Sequence, residues 1–439
     1  MKSLLFTLLL ATGTAVGFAN DKNNGKPADY VVHEWGTFTS LQGANGVQLS
    51  WLPQIGADLP PFVYRDNLRN SIGAGYLSRS VMSKASRRAR QRMETPVLYF
   101  YSEKPRTVDV EVRFPNGSIT EWYPRVSHAG PTMTSIAKER IPQGRAGESY
   151  IRWNDVQVLP HDQKVALKHD GKPSHYYPAR ETDANPLKIS TGTGRWQVTE
   201  TEKLLFYRGL GQFEAPLRVR LDLTETKMQL ANAGKEALTD LFVLVVRHGQ
   251  AKVTRIARVD GNKSVNTGWK PNAGLRPLKQ VAQELTGNLE QVLVSRGLYR
   301  PEAKAMIKTW RQSWFEEDGV RVLYALPNTW TDKTLPLELS PQPKEVVRVM
   351  IGRAELITPQ VEWAVLREVV RYSEPARRAA AVAGVDKLQL GRFLDPVLAK
   401  LMGTHPTREF RLACDGLRQR YHEKYLKRRP LPLLTAANR

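Results

Sequence analysis

LFVLVVRHGQAKVTR, residues 241–255, decides between two folds. Read one way, a buried strand delivers Arg247, His248 and Gly249 as the entry to a phosphohistidine enzyme. That chemistry needs a second histidine and further arginines converging on the phosphoryl group, to protonate the leaving group and spread its charge. The later strand-like stretches VRVLYALP and VVRVMIG carry no histidine, His405 falls in a Gly-Thr-His-Pro turn, and His422 lies in a basic helical stretch. Read the other way, residues 241–246 are apolar on both faces, Gly249-Gln250 turns the chain, and AKVTRIARV alternates. Preceded by ANAGKEALTD, this is the pattern of an antiparallel hairpin in a β-sandwich. The second reading fits, and it makes His248 a turn residue rather than a nucleophile.

Strand patterns crowd upstream of the hairpin: TPVLYFYS, TVDVEVRFP-NG-SITEWYP, SYIRWNDVQVLP, KLLFYRGL, LRVRLDLT and KMQLANAG. β-Branched and aromatic residues alternate between Asn-Gly, Pro and Gly breaks, as in an all-β sandwich. Residues 41–92 are irregular and end in the basic run SRSVMSKASRRARQRM. Downstream the texture changes. LKQVAQELTGNLEQVLVSRG sets Val281, Leu285, Leu289 and Val292 at near-helical spacing, and PEAKAMIKTWRQSWFEE starts a helix with Pro301 in its first turn. Two strands follow, and from Thr358 the pattern is helical. Phe410, Cys414, Leu417, Tyr421 and Tyr425 form one apolar stripe, so Cys414 reads as a buried, inert thiol. The expectation is an α+β fold: a β-sandwich-like region at 29–270, a mixed segment at 275–355 and a helical region at 356–430.

The first 19 residues, a lysine and an apolar run closing on Gly17-Phe18-Ala19, read as a secretory signal peptide. No later stretch offers the ~18 uninterrupted apolar residues of a spanning helix. The expected destination is periplasmic or extracellular. Cys414, the one cysteine, excludes an intramolecular disulfide. Lys and Arg number 65 against 43 Asp and Glu, a net charge of +22. Outside the cytoplasm, the polyanions such a surface would meet are acidic polysaccharide and lipopolysaccharide. No specific nucleic-acid motif, P-loop, dinucleotide turn, nucleophile elbow or His-Glu-x-x-His signature is present.

Residues 161–183, HDQKVALKHDGKPSHYYPARETD, hold the densest chemistry. His161, Asp162, His169 and His175 are the donor types a divalent metal takes. His175, Tyr176, Tyr177, Arg180, Glu181 and Asp183 suit an anionic or carbohydrate ligand, with aromatics to stack and a guanidinium to grip. A paired loop, with Arg180 bridging Glu181 or Asp183, is the structural alternative. His33 and Glu34 are neighbours in a strand and so face opposite sides. His33 shares its face with Val31 and Trp35. Trp310 and Trp314 read as core, and Glu316, Glu317 and Asp318 as a solvated helix end.

VVHEWGTFTS, METPVLYFYSEKP, EWYP, HYYPARETDANP, LLFYRGLG and WFEEDGVRVLYALP together resemble a family of exported bacterial proteins of unknown activity, over residues 30 to 355. The resemblance brings no catalytic residues. The functional expectation is therefore an exported, non-catalytic protein that binds an acidic envelope or extracellular polymer. The alternatives are a metal-assisted hydrolase using the 161–183 histidines and a structural scaffold.

Overall fold

The computed structural model describes residues 29–51, 59–65, 89–130, 149–224, 226–405 and 407–426. The leader and residues 78–88 of the basic run lie outside them. Along the chain come β1 (Tyr30–Gln42), β2 (Gln48–Leu49), β3 (Tyr64–Arg65), β4 (Gln91–Ser102), β5 (Arg106–Phe114), β6 (Gly117–Tyr123) and β7 (His128–Gly130). Next are β8 (Ser149–Val158), β9 (Leu187–Thr191), β10 (Val198–Glu202), β11 (Leu205–Gly211), β12 (Leu217–Leu221) and β13 (Lys227–Asn232). Then follow β14 (Leu238–Arg247), β15 (Gln250–Val259), β16 (Ser264–Gly268) and β17 (Arg276–Pro277). Helices α1 (Leu278–Ser295) and α2 (Arg300–Arg311) precede β18 (Gly319–Ala325), α3 (Asn328–Thr334), β19 (Leu337–Ser340) and β20 (Glu345–Leu356). The described chain ends in α4 (Pro359–Ser373), α5 (Arg378–Lys387), α6 (Leu394–Thr404) and α7 (Arg408–Leu426). The fold is α+β.

The 241–255 stretch is a hairpin. β14 and β15 pair antiparallel down to Arg247↔Gln250. His248 (φ 49°) and Gly249 (φ 76°) make the two-residue turn in the left-handed region that hairpin turns require. His248 is almost fully solvent-exposed, and its N–H donates to Asp318 Oδ1 at 3.1 Å.

An eleven-stranded sheet runs in the order β17-β15-β14-β18-β20-β1-β4-β11-β6-β3, with β2 beside β1. One face packs on a six-stranded sheet, β10-β9-β8-β5-β19 with β7 beside β8, and on a three-stranded sheet, β12-β13-β16. Phe38, Leu98, Tyr207, Val322 and Met350 meet Val110, Trp153, Val219 and Leu230 in this core. The opposite face carries Val31, Trp35, Tyr99, Phe206 and Leu323 against α1 and α2, which supply Val281, Leu285, Leu289, Met306 and Trp310. A third core joins Leu41, Trp51 and Ile357 to α4–α7 through Val365, Leu398, Cys414 and Leu417.

The change of texture near 270–275 is not a break in the sheet. β18 and β20, from the expected mixed segment, lie at its centre, and β1 pairs parallel with β20 from Val31↔Glu345 to Gln42↔Leu356. β1 is thus flanked on both edges and covered on both faces, which is why all thirteen of its residues are buried. A bulge at Gly36 shifts its register against β4. A Cβ there would lie 2.9 Å from the Pro96 Cα, closer than packing allows.

Beyond Trp35 and Ile351 the helix-facing side of the sheet turns polar and charged, by the two-residue alternation of its strands. Arg92 pairs with Glu94 at 2.8 Å, Arg208 with Glu121 at 2.9 Å, and Arg321 with Glu355 at 2.9 Å. Arg353 reaches both Glu355 (2.5 Å) and Glu317 (3.1 Å). This band separates the second core from the third. Its pairs make burial tolerable, since loss of one member would leave its partner desolvated and uncompensated.

Candidate functional site

Tyr177–Arg180 forms a single 3-10 turn that locks the 161–183 stretch onto β10. Arg180 donates through Nε (3.0 Å) and Nη2 (2.5 Å) to Glu202, and through Nη1 to the Lys168 carbonyl at 2.8 Å. Tyr176 is fully buried, and its O–H donates to Glu202 at 3.1 Å. Burial pushes the Glu202 carboxyl above its ordinary range even against the Arg180 charge. Phe62, Tyr176 and Tyr177 all lie within 5.1–5.7 Å of the guanidinium carbon. The arginine expected to grip a ligand, or to bridge Glu181 or Asp183, is instead occupied by a buried glutamate from the next strand but one.

The rest of the stretch is parcelled out in the same way. Tyr177 donates to Asp170 at 2.6 Å, His169 stacks on Tyr177 at 3.9 Å, and the half-buried His175 ring lies 5.4 Å from that of Trp310 on α2. Glu181 is exposed and pairs with Lys308 at 2.6 Å, while Asp183 faces solvent. Among the described residues no group of three or more His, Cys, Asp or Glu is placed to hold a metal ion. The structure does not bring His161, Asp162, His169 and His175 together in such a group. His161 and His169 are exposed, and the half-buried His175 packs toward α2 instead.

The His33-Glu34 dipeptide divides as the strand geometry demands. His33 Nδ1 lies 2.7 Å from Glu302 Oε2, and its ring packs against those of Tyr101 and Tyr299. The same carboxylate accepts the Tyr299 N–H at 2.8 Å and so caps α2. Glu34 points to the other face, where it accepts from the Tyr207 hydroxyl and from Arg348 Nε at 2.7 Å. Burial, then the Glu34 charge, holds the Tyr207 phenol well above its usual range. Arg348 also donates to Asp332 at 2.8 Å and to the Leu335 carbonyl at 2.7 Å, at the floor of a cleft of about 360 Å³.

One solvent-facing Trp–Arg pair and a second exposed tryptophan stand out on the surface. Trp196 is 72% exposed at the β9–β10 turn, with the Arg195 guanidinium 5.1 Å from its ring centre. Trp363 on α4 is 62% exposed, and Arg367, one helical turn on, leaves most of its side chain in solvent. At Trp196 the exposed indole beside a guanidinium offers a flat apolar face and a charged fork. The sequence signals were G-R-W and W-x-x-x-R, too short to single out before exposure was known.

No family model and no curated protein matches the chain. Among solved structures it is similar to the Fcho1 mu homology domain of Danio rerio with a bound Eps15 peptide: 8% identity, 76% of this chain and 99% of that one, TM-score 0.29. The yeast delta-COP-I mu-homology domain complexed with a Dsl1 WxWxV peptide is 6% identical over 75% of this chain and 99% of that one, TM-score 0.27. Likeness at this level carries no inference about function.

Proposed function

We propose that this is an exported, periplasmic or extracellular, non-catalytic protein that binds an anionic glycan, acidic polysaccharide or lipopolysaccharide, through its basic surface. One observation carries the reading. Among the described residues burial withdraws nine carboxylates from the surface but only five guanidiniums and no lysine. Among the described residues the exposed side chains are thereby shifted toward positive charge, on a chain whose net charge is +22. The Trp196–Arg195 pair and the exposed Trp363 indole supply sugar-stacking faces on that surface, and Arg forks match carboxylate and sulfate geometry.

The test is binding of the mature protein to dextran sulfate and to uncharged dextran. Dextran sulfate is expected to bind, with affinity falling roughly tenfold or more between about 50 and 200 mM salt as counterions are released. Trp196→Ala and Trp363→Ala should weaken binding without changing the salt slope, whereas Arg367→Ala should reduce the slope. Salt-independent binding, or equal binding of uncharged dextran, overturns the reading.

A further inference from the structure

Among the described residues β19 is an edge strand of the six-stranded sheet, paired with β5 alone. The Arg113 N–H donates to the Pro336 carbonyl at 2.9 Å, and the register continues from Leu337↔Val112 to Ser340↔Asp109. Hydrogen-bonded and non-hydrogen-bonded positions alternate along an antiparallel pair. The backbone groups of Glu338 and Ser340 therefore turn toward β5, and those of Leu337 and Leu339 turn to the open edge. Unpaired N–H and C=O groups on an edge are a template for another strand.

The 360 Å³ cleft adjoins this edge. It is lined by Leu337 and Leu339 from β19, Asn328 and Asp332 from α3, and Gln342 and Arg348 beside and on β20. Its electrostatics follow from the buried network behind it. Arg348 is 6% exposed and its charge is matched by fully buried Glu34, whereas the Asp332 side chain is 61% exposed. The solvent-facing charge among the lining residues is thus one carboxylate, flanked by two side-chain amides suited to a peptide backbone.

We infer that this cleft takes an extended polypeptide segment, which adds to β19 as a strand and sets a lysine or arginine against Asp332. The four-residue edge is about 13 Å long at the usual rise per residue, so the paired segment is short. The inference goes beyond the glycan reading and has the opposite electrostatic sign, so either can fail alone.

The probe is a fluorescein-labelled nonapeptide of alternating threonine and valine with a central lysine, followed by anisotropy on the full chain. Two counterparts carry a central glutamate or N-methyl groups on alternate backbone nitrogens. The lysine peptide should bind, the glutamate peptide about tenfold more weakly or worse, and the N-methylated peptide not at all. Asp332→Asn should abolish the preference for lysine over glutamate. Leu337→Pro, which removes an outward N–H and leaves the β5 ladder intact, should weaken all peptides alike. Equal binding of lysine and glutamate peptides, undiminished binding after N-methylation, or no binding of the lysine peptide overturns the inference. If Leu337→Pro does not fold, Asp332→Asn and the peptide arms decide it.

Discussion

Arg180 and Glu202 illustrate how a residue with every attribute of a ligand contact becomes a structural part. The guanidinium donates through two nitrogens to one buried carboxylate and is flanked by three aromatic rings. Arg180→Ala would leave Glu202 desolvated and uncompensated, a loss on the order of 3–5 kcal/mol in urea unfolding. Because the stranded carboxyl would hold its proton more tightly than in the unfolded chain, the deficit should be larger at pH 8 than at pH 5. Glycan binding per folded molecule should not change. Cys414 offers a second test at this scale. Burial pushes its thiol up to about 12. Reaction with a disulfide reagent at pH 9, where an ordinary thiol is largely ionised, should stay slow in the folded protein and become fast on unfolding. The partner of Arg180 cannot be read from spacing, whereas the burial of Cys414 can. The cysteine's place on an apolar stripe was legible, but Glu202 sits 22 residues from Arg180 with nothing in the local pattern to link them.

Among the elements, hairpins and amphipathic helices were the most legible. β14–β15 follows from alternation and turn chemistry within one short stretch, and the Val281–Leu285–Leu289–Val292 stripe of α1 is buried as its spacing implies. The turn itself makes a prediction. His248 sits at φ 49°, a conformation that asparagine adopts more readily, and Asn-Gly is the favoured pair for a two-residue hairpin turn. His248→Asn should stabilise the protein by a few tenths to about 1 kcal/mol in urea denaturation, and any phosphatase activity in a preparation should be untouched. What stayed hidden at this scale was pairing between distant elements. The strand that receives β1 begins more than 300 residues later, and the partners of His33 and Glu34 are 269 and 314 residues away. Local periodicity shows that a strand has two faces, but does not name what covers them.

The whole molecule is three cores around one sheet, with charge sorted between inside and outside. Among the described residues Glu34, Glu94, Glu121 and Glu355 are drawn inward as partners for buried arginines, the other buried carboxylates pair with less buried cations or with His33, and no lysine is buried. Composition showed the basic excess, but the sorting that amplifies it depends on tertiary pairing. The insertion of β1 between β4 and β20 has a kinetic side as well. During synthesis at ~5–20 residues per second, roughly 15–60 s pass between the emergence of β1 and that of the strand beside it. Through that interval the middle of the future sheet is an unclaimed edge, rich in valine and aromatic residues. The sheet can close around β1 only once β20 has been made, so its centre is completed late in synthesis.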